Sequence, residues 1–333
     1  MGGQETAGAT GTGYPIVTMP PPGRKGRGRL RFAHPALADW QWPYVAVSGA
    51  HAGPRILIIA GIHGAEYPPI EAAIRFGRWL EADQLAGSVL IIPVVNLPAF
   101  WERSMFVCPL DGKNLNRVFP GRTDGTFSEV LAYHLTTDLF DHADVILDLH
   151  CGDLVEDLVP FTLCQQVGDE ALDAASEALA RVFGLPYVIV NPPSTEHLRG
   201  TTYATAAGRG KRAIIAEAGG LGQLTEPAVG LLVRGLHNVL RSLRALPGEP
   251  EGPLDQVTIA RFDWLYGKQA GLFTPEIAAG DTIQAGQPLG VIRDLCGEPV
   301  ERVTAPTGGV VLFLTANPAV KAEGLLMGIG VPA

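Results

Sequence analysis

Apolar residues along this chain fall into short continuous runs that alternate with segments of helical periodicity. The runs at 55–61 and 88–96 are apolar almost throughout, which is typical of strands buried on both faces. Between them, apolar side chains recur at helical spacing through 70–80, and Pro68 and Pro69 stand where the first turn of a helix tolerates proline. The pattern therefore predicts a strand, a helix and a second strand in succession.

The alternation continues through the next 150 residues. Further strands are predicted at 144–150, 186–190 and 212–217, and helices at about 128–140, 170–183 and 227–246. Strands that alternate with helices are typical of an α/β fold with a mixed, largely parallel sheet flanked by helices.

Both ends of the chain differ from this central part. Residues 1–28 are rich in Gly, Thr, Pro and basic residues and are predicted to form a flexible arm, with a catalytic domain at 29–247. After a Pro- and Gly-rich linker, residues 254–333 show no helical period and predict a smaller all-β barrel or sandwich. This segment resembles a biotinyl or lipoyl carrier, but the expected hairpin at 293–300 has no lysine to carry the cofactor. A packing or substrate-walling role is therefore favoured.

Charge and cysteine content limit the classes of partner. With 25 basic and 34 acidic residues the net charge is −9, which argues against general binding to nucleic acid or anionic membranes. No apolar run approaches the roughly 18 residues of a membrane span, and the N-terminus has no secretory pattern. Four scattered cysteines suggest reduced thiols and a cytoplasmic location. A small-molecule substrate is expected, and a homo-oligomer is left open.

Residues that could bind a metal stand just after two of the predicted strands. His63 and Glu66 follow the first strand in G-I-H-G-A-E, and His150 ends another in D-L-H. Groups beyond the carboxyl ends of strands converge at one edge of an α/β sheet. Two histidines and a carboxylate form a catalytic zinc set, although polar strand ends without a metal remain an alternative. Asp148 shares a strand face with His150 and either orients it or simply ends the strand, and Cys151 is a further neighbour.

Four motifs in order carry a family resemblance: G-I-H-G-A-E, D-G-K-N-L-N-R-V-F-P-G, D-L-H and A-E-A-G-G. Together they resemble the succinylglutamate desuccinylase and aspartoacylase family, a branch of the zinc carboxypeptidase-like hydrolases. The resemblance implies a zinc carboxypeptidase-like fold and one zinc ion per chain, bound by His63, Glu66 and His150. The cysteine after His150 departs from the small polar residue that relatives often carry.

The same resemblance assigns the remaining site residues. It implies that Glu217 is the general base, and the apolar run that ends at Glu217 supports this independently, although a strand-end ion pair is the alternative. Asn116 and Arg117 match the substrate-binding pair of the family, and the planar guanidinium of arginine suits a carboxylate. Arg103 is a further substrate-binding candidate.

The predicted function is zinc-dependent hydrolysis of the amide bond in an N-acylated amino acid or small acylated amine. Water activated by the metal and deprotonated by a glutamate would attack the acyl carbon. Two alternatives stay open, a zinc carboxypeptidase that acts on peptides and a catalytically silent relative that binds a ligand.

Overall fold

The structure, a computed structural model, describes residues 14–193, 199–252 and 255–333. Its strands are β1 (Arg24–Leu30), β2 (Trp42–Ser48), β3 (His51–Ala60), β4 (Ala86–Ile92), β5 (Val145–His150), β6 (Glu156–Leu158), β7 (Phe161–Gln165), β8 (Tyr187–Asn191), β9 (Arg212–Glu217), β10 (Val257–Gly267), β11 (Gly271–Pro275), β12 (Thr282–Ile283), β13 (Pro288–Arg293), β14 (Pro299–Thr304), β15 (Gly309–Thr315), β16 (Ala319–Val320) and β17 (Gly324–Pro332). Its α-helices are α1 (Tyr67–Trp79), α2 (Leu97–Glu102), α3 (Phe127–His134), α4 (Glu170–Phe183), α5 (Thr202–Gly208) and α6 (Glu226–Ser242).

A mixed sheet forms the centre of the molecule. In the described part of the chain it has 13 strands in the order β1-β2-β4-β3-β5-β9-β7-β8-β10-β17-β15-β12, with β6 beside β15. The four strands β4, β3, β5 and β9 run parallel, whereas β2 and β7 are antiparallel to their neighbours in this group. Residues 56–60 of β3 and all of β5 are buried, as their continuous apolar runs require. The predicted fold class is confirmed.

Helices cover the central strands and begin and end where the local sequence requires. Helix α1 carries its two prolines in the first turn, where no backbone N–H is needed. Helix α4 begins after Asp169, whose carboxylate accepts hydrogen bonds from two backbone N–H groups, and ends at Gly184 with a φ of 87°. Helix α1 packs on β3 and β5, α4 packs on β9 and β7, and α6 packs against both helices.

The C-terminal region, as described over 255–333, contains strands and no helix. Strands β14, β13, β11 and β16 form a second sheet, and a separate apolar core that includes Phe273, Leu289 and Met327 lies beneath it. The other strands extend the main sheet, because β10 pairs in parallel with β8. The predicted all-β region is therefore present but continuous with the catalytic sheet. Residues 253 and 254, at the predicted domain boundary, lie outside the described residues, and the boundaries stay a prediction.

The prediction of a flexible arm over residues 1–28 is wrong for residues 24–28, which belong to a strand. Strand β1 covers 24–30 and pairs with β2 in antiparallel register, and Tyr14 and Val17 are buried in the main core. The alternating basic and glycine residues of β1 look like a flexible segment, but they are typical of an edge strand that is protected by charge. Residues 1–13 lie outside the described residues.

Two further sequence expectations concern membranes and thiols. Within the described ranges, no helix is both long enough and apolar enough to cross a bilayer. The four cysteines are free thiols, of which Cys108, Cys151 and Cys164 are buried and Cys296 is exposed.

Candidate active site

The first two candidate ligands come from the turn between β3 and α1. His63 follows β3, and Glu66 directly precedes the first residue of α1 and is buried. Gly64 lets this turn pass close to α2, because a Cβ atom there would lie 2.1 Å from the backbone nitrogen of Phe100. The glycine in G-I-H-G-A-E is thus needed for a close approach of two backbones.

The third candidate ligand, His150, is the last residue of β5. It is buried and lies beside Glu217, the last residue of β9, in the parallel register of the two strands. The strand ends of β3, β5 and β9 therefore meet at one edge of the sheet, as the sequence predicts.

Glu66 bridges the two histidines. Its Oε1 lies 2.7 Å from Nδ1 of His63, and its Oε2 lies 3.1 Å from Nδ1 of His150. The two imidazole rings are 5.1 Å apart between centroids, and one ligand atom from each of the three residues lies within 4.8 Å of the others. These three side chains have the composition and proximity of a metal site.

The second ring nitrogen of each histidine, Nε2, lies within hydrogen-bond distance of an acceptor on the side away from Glu66. Nε2 of His63 lies 3.1 Å from Oδ1 of Asn114, an oxygen that also accepts a hydrogen bond from the backbone N–H of Asn116. Nε2 of His150 lies 2.9 Å from Oδ2 of Asp148, which also accepts a hydrogen bond from the Thr202 hydroxyl. With each Nε2 donating, a neutral ring presents the Nδ1 lone pair to Glu66. Two acceptors then face each other, and either a proton on the ring or a cation bound between them would satisfy both.

The electrostatic surroundings of His150 favour positive charge. Burial lowers the pKa of this imidazole, but the carboxylates of Asp148 and Glu66 outweigh that effect and raise the pKa well above its ordinary value.

Cys151, the residue after His150, contacts the site mainly through its backbone. Its N–H donates a hydrogen bond to Oε2 of Glu66 at 3.2 Å, and its thiol donates to the carbonyl of Gly152. Cys151 therefore supports Glu66 through its backbone.

Glu217 brings a second carboxylate to this edge. Its Oε2 is buried and has no hydrogen-bond partner among the residues that the structure describes. Burial raises the pKa of this carboxyl to about 8, against the opposing effect of His150 and with the added effect of the Glu66 carboxylate. An unpartnered carboxyl beside the histidines is suited to hold or release a proton.

Two glycines shape the turn after Glu217. Gly219 has a φ of 95°, and a Cβ atom at Gly220 would lie 2.3 Å from the carbonyl oxygen of Glu156. The pair in A-E-A-G-G thus allows the chain to pass directly against the strand that carries Glu156.

Asn116 and Arg117 lie on a short 3-10 turn that faces the same space. The Asn116 side-chain oxygen accepts a hydrogen bond from the backbone N–H of Thr202 at 2.8 Å, and Arg117 Nη1 donates to the Asn116 carbonyl at 2.7 Å. Desolvation by the surrounding protein lowers the pKa of Arg117, whose side chain nevertheless stays accessible. No ion pair of Arg117 with a carboxylate occurs within the described ranges.

Arg103 is placed elsewhere. It caps the C-terminus of α2 in a left-handed conformation with a φ of 52°, and its side chain is exposed. It does not line the cavity that His63, Glu217 and Arg117 line. The structure thus brings together every predicted site residue except Arg103.

The site opens into a cavity of about 380 Å³ with two unlike sides. We call His63, Glu66, His150 and Glu217 the floor, which the strand ends of the catalytic sheet supply. We call Phe262, Trp264, Phe313 and Leu325 the wall, which the C-terminal strands β10, β15 and β17 supply.

Several residues at the site were not singled out by the sequence. Asn114 and Thr202 position the floor through the contacts described above, and Glu156 lines the cavity on the short strand β6. Asn114 belongs to D-G-K-N-L-N-R, so its motif was a signal for it, whereas Thr202 and Glu156 stand in no such motif.

Comparisons with known proteins agree with this geometry. Residues 52–243 match the model of the succinylglutamate desuccinylase/aspartoacylase catalytic domain. The chain is 32% identical over 248 residues to N-alpha-acetyl-L-2,4-diaminobutyric acid deacetylase of Halomonas elongata, covering 73% of this chain and 71% of that protein.

Solved structures resemble almost the whole chain. A succinylglutamate desuccinylase from Silicibacter sp. superposes with a TM-score of 0.84 at 28% identity, covering 96% of this chain and 99% of that one. The product-bound ectoine utilization protein EutE (DoeB) from Ruegeria pomeroyi gives a TM-score of 0.83 at 28% identity, with the same coverage. With the domain match and the deacetylase relative, these findings show that the chain belongs to the succinylglutamate desuccinylase/aspartoacylase family.

Proposed function

We propose that this protein is a zinc-dependent deacylase that hydrolyses the amide bond of an N-acylated amino acid, with one zinc ion per chain. The observation that carries the proposal is that Glu66 lies between the Nδ1 atoms of His63 and His150. The Nε2 atom of each ring is held by a hydrogen bond to a neighbouring side chain. The family and its deacetylase member support the reaction class.

The donor set fits zinc. Zinc binds imidazole nitrogen and carboxylate oxygen, and catalytic zinc sites use three protein ligands and leave a position open. His63, Glu66 and His150 supply three such ligands, and all three line the cavity, from which a substrate can approach. Anchoring of the Nε2 atoms by Asn114 and Asp148 holds the ligand tautomers.

Zinc bound there would supply a Lewis acid that polarises the acyl carbonyl and makes water more acidic. Glu217 takes a proton from the attacking water as the new carbon–oxygen bond forms. The same carboxyl then gives the proton to the nitrogen as the carbon–nitrogen bond breaks. The raised pKa of Glu217 suits the second step, and a divalent cation nearby favours ionisation for the first.

Asn116 and Arg117 are proposed to hold the substrate. The guanidinium faces the cavity without a carboxylate partner in the described residues, so the carboxylate of an amino acid can satisfy it. Because the Asn116 oxygen accepts from Thr202, its amide nitrogen is the group left to donate to a ligand. Arg103 has no part in this proposal because it lies outside the cavity.

A small substrate is favoured over a peptide. The cavity of about 380 Å³ is bounded on one side by the wall residues and is of a size that suits a small ligand. The relative from Halomonas elongata is named for an acetylated amino acid. A peptide-cleaving carboxypeptidase and a silent binding protein are the competing outcomes, and a cytoplasmic location and possible homo-oligomer remain predictions.

Release of free amine from a panel of substrates tests the proposal. The purified protein, loaded with zinc, should hydrolyse at least one N-acetyl or N-succinyl amino acid and lose that activity on chelation. Hydrolysis of C-terminal residues from peptides instead would favour the carboxypeptidase. Failure to release amine from any member of either set would contradict a deacylase.

A further inference from the structure

Hydrogen bonds from both candidate zinc-binding histidines lead to the same residue, Asn116. On one side, Nε2 of His63 lies 3.1 Å from Oδ1 of Asn114. The same oxygen accepts a hydrogen bond from the backbone N–H of Asn116 at 2.8 Å. His63 is thus connected through one side chain to the 3-10 turn that carries the proposed substrate-binding pair.

The second connection runs from His150 through two further residues. Nε2 of His150 lies 2.9 Å from Oδ2 of Asp148, and the Thr202 hydroxyl donates to the same oxygen. The backbone N–H of Thr202 then donates to the side-chain oxygen of Asn116 at 2.8 Å. Asn116 therefore takes part in both connections with different groups, its backbone nitrogen in the first and its side-chain oxygen in the second.

The Asp148 carboxylate is held by few groups. Its Oδ2 receives both hydrogen bonds, whereas its Oδ1 is buried and has no hydrogen-bond partner among the described residues. Without the Thr202 hydroxyl, this carboxylate would keep His150 as its one side-chain partner in that part of the chain. The orientation of His150 therefore depends on Thr202, which acts through the carboxylate.

Close packing joins the start of α5 to the substrate-binding turn. Asp148 and Thr202 are fully buried, and neither is among the described residues that line the cavity. Gly200, just before α5, has a φ of 85°, and a Cβ atom there would lie 2.3 Å from the carbonyl oxygen of Arg117. Because the two backbones are in direct contact, a shift of the turn displaces the start of α5 as well.

We propose that Asn116 and Thr202 couple substrate binding to zinc binding, so that each ligand raises the affinity of the protein for the other. This inference rests on the proposed deacylase function. The two imidazole rings take fixed positions when zinc is bound, and a carboxylate on Arg117 and Asn116 fixes the turn to which both rings are connected. Whichever ligand binds first thus prepares the site for the second. Thr202 is a positioning residue that acts through Asp148.

The zinc affinity of the ligand-free protein tests the connection to the metal site. Thr202→Val removes the hydroxyl and keeps the size of the side chain, so zinc affinity should fall about 2- to 10-fold, as expected for one lost hydrogen bond. Thr202→Ser keeps the hydroxyl and should retain the wild-type affinity. Thr205→Val, at a half-buried position on the same helix, is the matched control and should also retain it. Competition with a fluorescent chelator measures all four proteins.

A double-mutant cycle tests whether Asn116 belongs to the same connection. Asn116→Ala removes the acceptor of the Thr202 N–H and should lower zinc affinity about 2- to 5-fold, although Asn116 is not one of the candidate ligands. The double variant with Thr202→Val should lose less than the product of the two single losses, because both changes break one chain of hydrogen bonds. Single losses that simply multiply would contradict a shared connection.

Ligand binding with and without zinc gives the reciprocal readout. Calorimetry in the Glu217→Gln background, which prevents turnover, measures the binding of N-acetyl and N-succinyl amino acids to the zinc-loaded and the zinc-free protein. Zinc should raise the affinity for at least one of them by about fivefold or more, and Thr202→Val should reduce that factor at least about twofold. Direct attraction between zinc and the ligand is the same in both proteins, so the difference reports the connection through Thr202.

The outcomes separate this inference from the proposed function. Unchanged zinc affinity in Thr202→Val, equal losses in Thr202→Ser and Thr202→Val, or no ligand whose affinity zinc raises would overturn the coupling. A zinc effect on ligand affinity that Thr202→Val leaves intact would do the same. The deacylase would stand in each case if the wild type hydrolyses a member of the panel. The predicted zinc and ligand effects without any hydrolysis would overturn the deacylase and keep the coupling.

Discussion

The floor and the wall of the cavity are built in opposite ways from one continuous sheet. The floor consists of polar side chains at or just beyond the ends of parallel strands, and Asn114 and Asp148 restrain its two histidines. The wall consists of apolar side chains along the C-terminal strands, which contact one another through aromatic rings. Restrained polar groups suit bond breaking, and apolar contacts suit selection of the substrate. The difference predicts that floor variants change turnover and wall variants change binding.

The largest effect is expected at Glu217. Glu217→Gln keeps the shape of the side chain but removes proton transfer, so kcat should fall on the order of 10²- to 10⁴-fold. Zinc content and thermal stability should stay near those of the wild type. The control is Glu226→Gln, which should keep full turnover. Glu226 is an exposed glutamate at the start of α6 and pairs with Arg75 of α1. Steady-state kinetics that gave equal kcat for both variants would remove Glu217 from the base role.

A smaller effect is expected at Asp148, which accepts a hydrogen bond from the candidate zinc ligand His150. Asp148→Asn keeps the volume of the side chain but weakens the hydrogen bond that holds His150, so zinc affinity should fall about 10- to 100-fold. Competition with a fluorescent chelator measures this affinity. An unchanged affinity would mean that Asp148 serves the fold only.

Substitutions in the wall are expected to change substrate binding and to leave turnover nearly unchanged. Phe262→Leu removes part of an aromatic face, which should raise KM roughly fivefold to tenfold and leave kcat within about twofold. Trp101→Leu, an exposed aromatic residue on α2, is the control. A drop in kcat without a change in KM would show that the wall takes part in the chemistry and would break the comparison.

The smallest effect is expected at the opposite end of the same strands. Asp144, just before β5, pairs with Arg55 at 2.7 Å. Partial burial raises the pKa of Asp144, but hydrogen bonds from the Arg55 side chain and backbone outweigh it, and the net pKa is lowered. Both side chains are about one-third exposed, so the pair stabilises the fold by at most about 1 kcal/mol.

The sign of the pH dependence follows from that lowered pKa. The stabilisation by Asp144 is fully present above the unfolded pKa of about 3.9 and is lost as the pH falls through the lower folded value. Urea unfolding should therefore show Asp144→Asn to be less stable than the wild type at pH 7, with the difference shrinking below about pH 4. A difference that grows on acidification would contradict the assignment.

The sequence was informative where polar residues follow apolar runs. His150 and Glu217 each end a buried strand, and His63 lies shortly after one. Parallel strands bring such ends to one edge, so the meeting of these residues could be predicted. The helices could be predicted from periodicity, with bounds close to those observed for α1, α4 and α6.

Features that depend on tertiary contacts could not be predicted in the same way. Thr202 and Glu156 reach the site from a helix start and a three-residue strand, and no local pattern marks either. Arg103 lies outside the cavity, and the spacing of a loop does not reveal which way its side chains point. The lack of a helical period over 254–333 predicts strands there but does not tell which face of β10 lines a cavity.

Metal content is the measurement that tests the central claim most directly. Elemental analysis of zinc-replete wild type, after removal of free metal, should find about one zinc per chain. His63→Ala should lose it while remaining folded by circular dichroism, and His51→Ala, at the other end of β3, should retain it. Absence of stoichiometric zinc in the wild type, or equal zinc in both variants, would contradict the account.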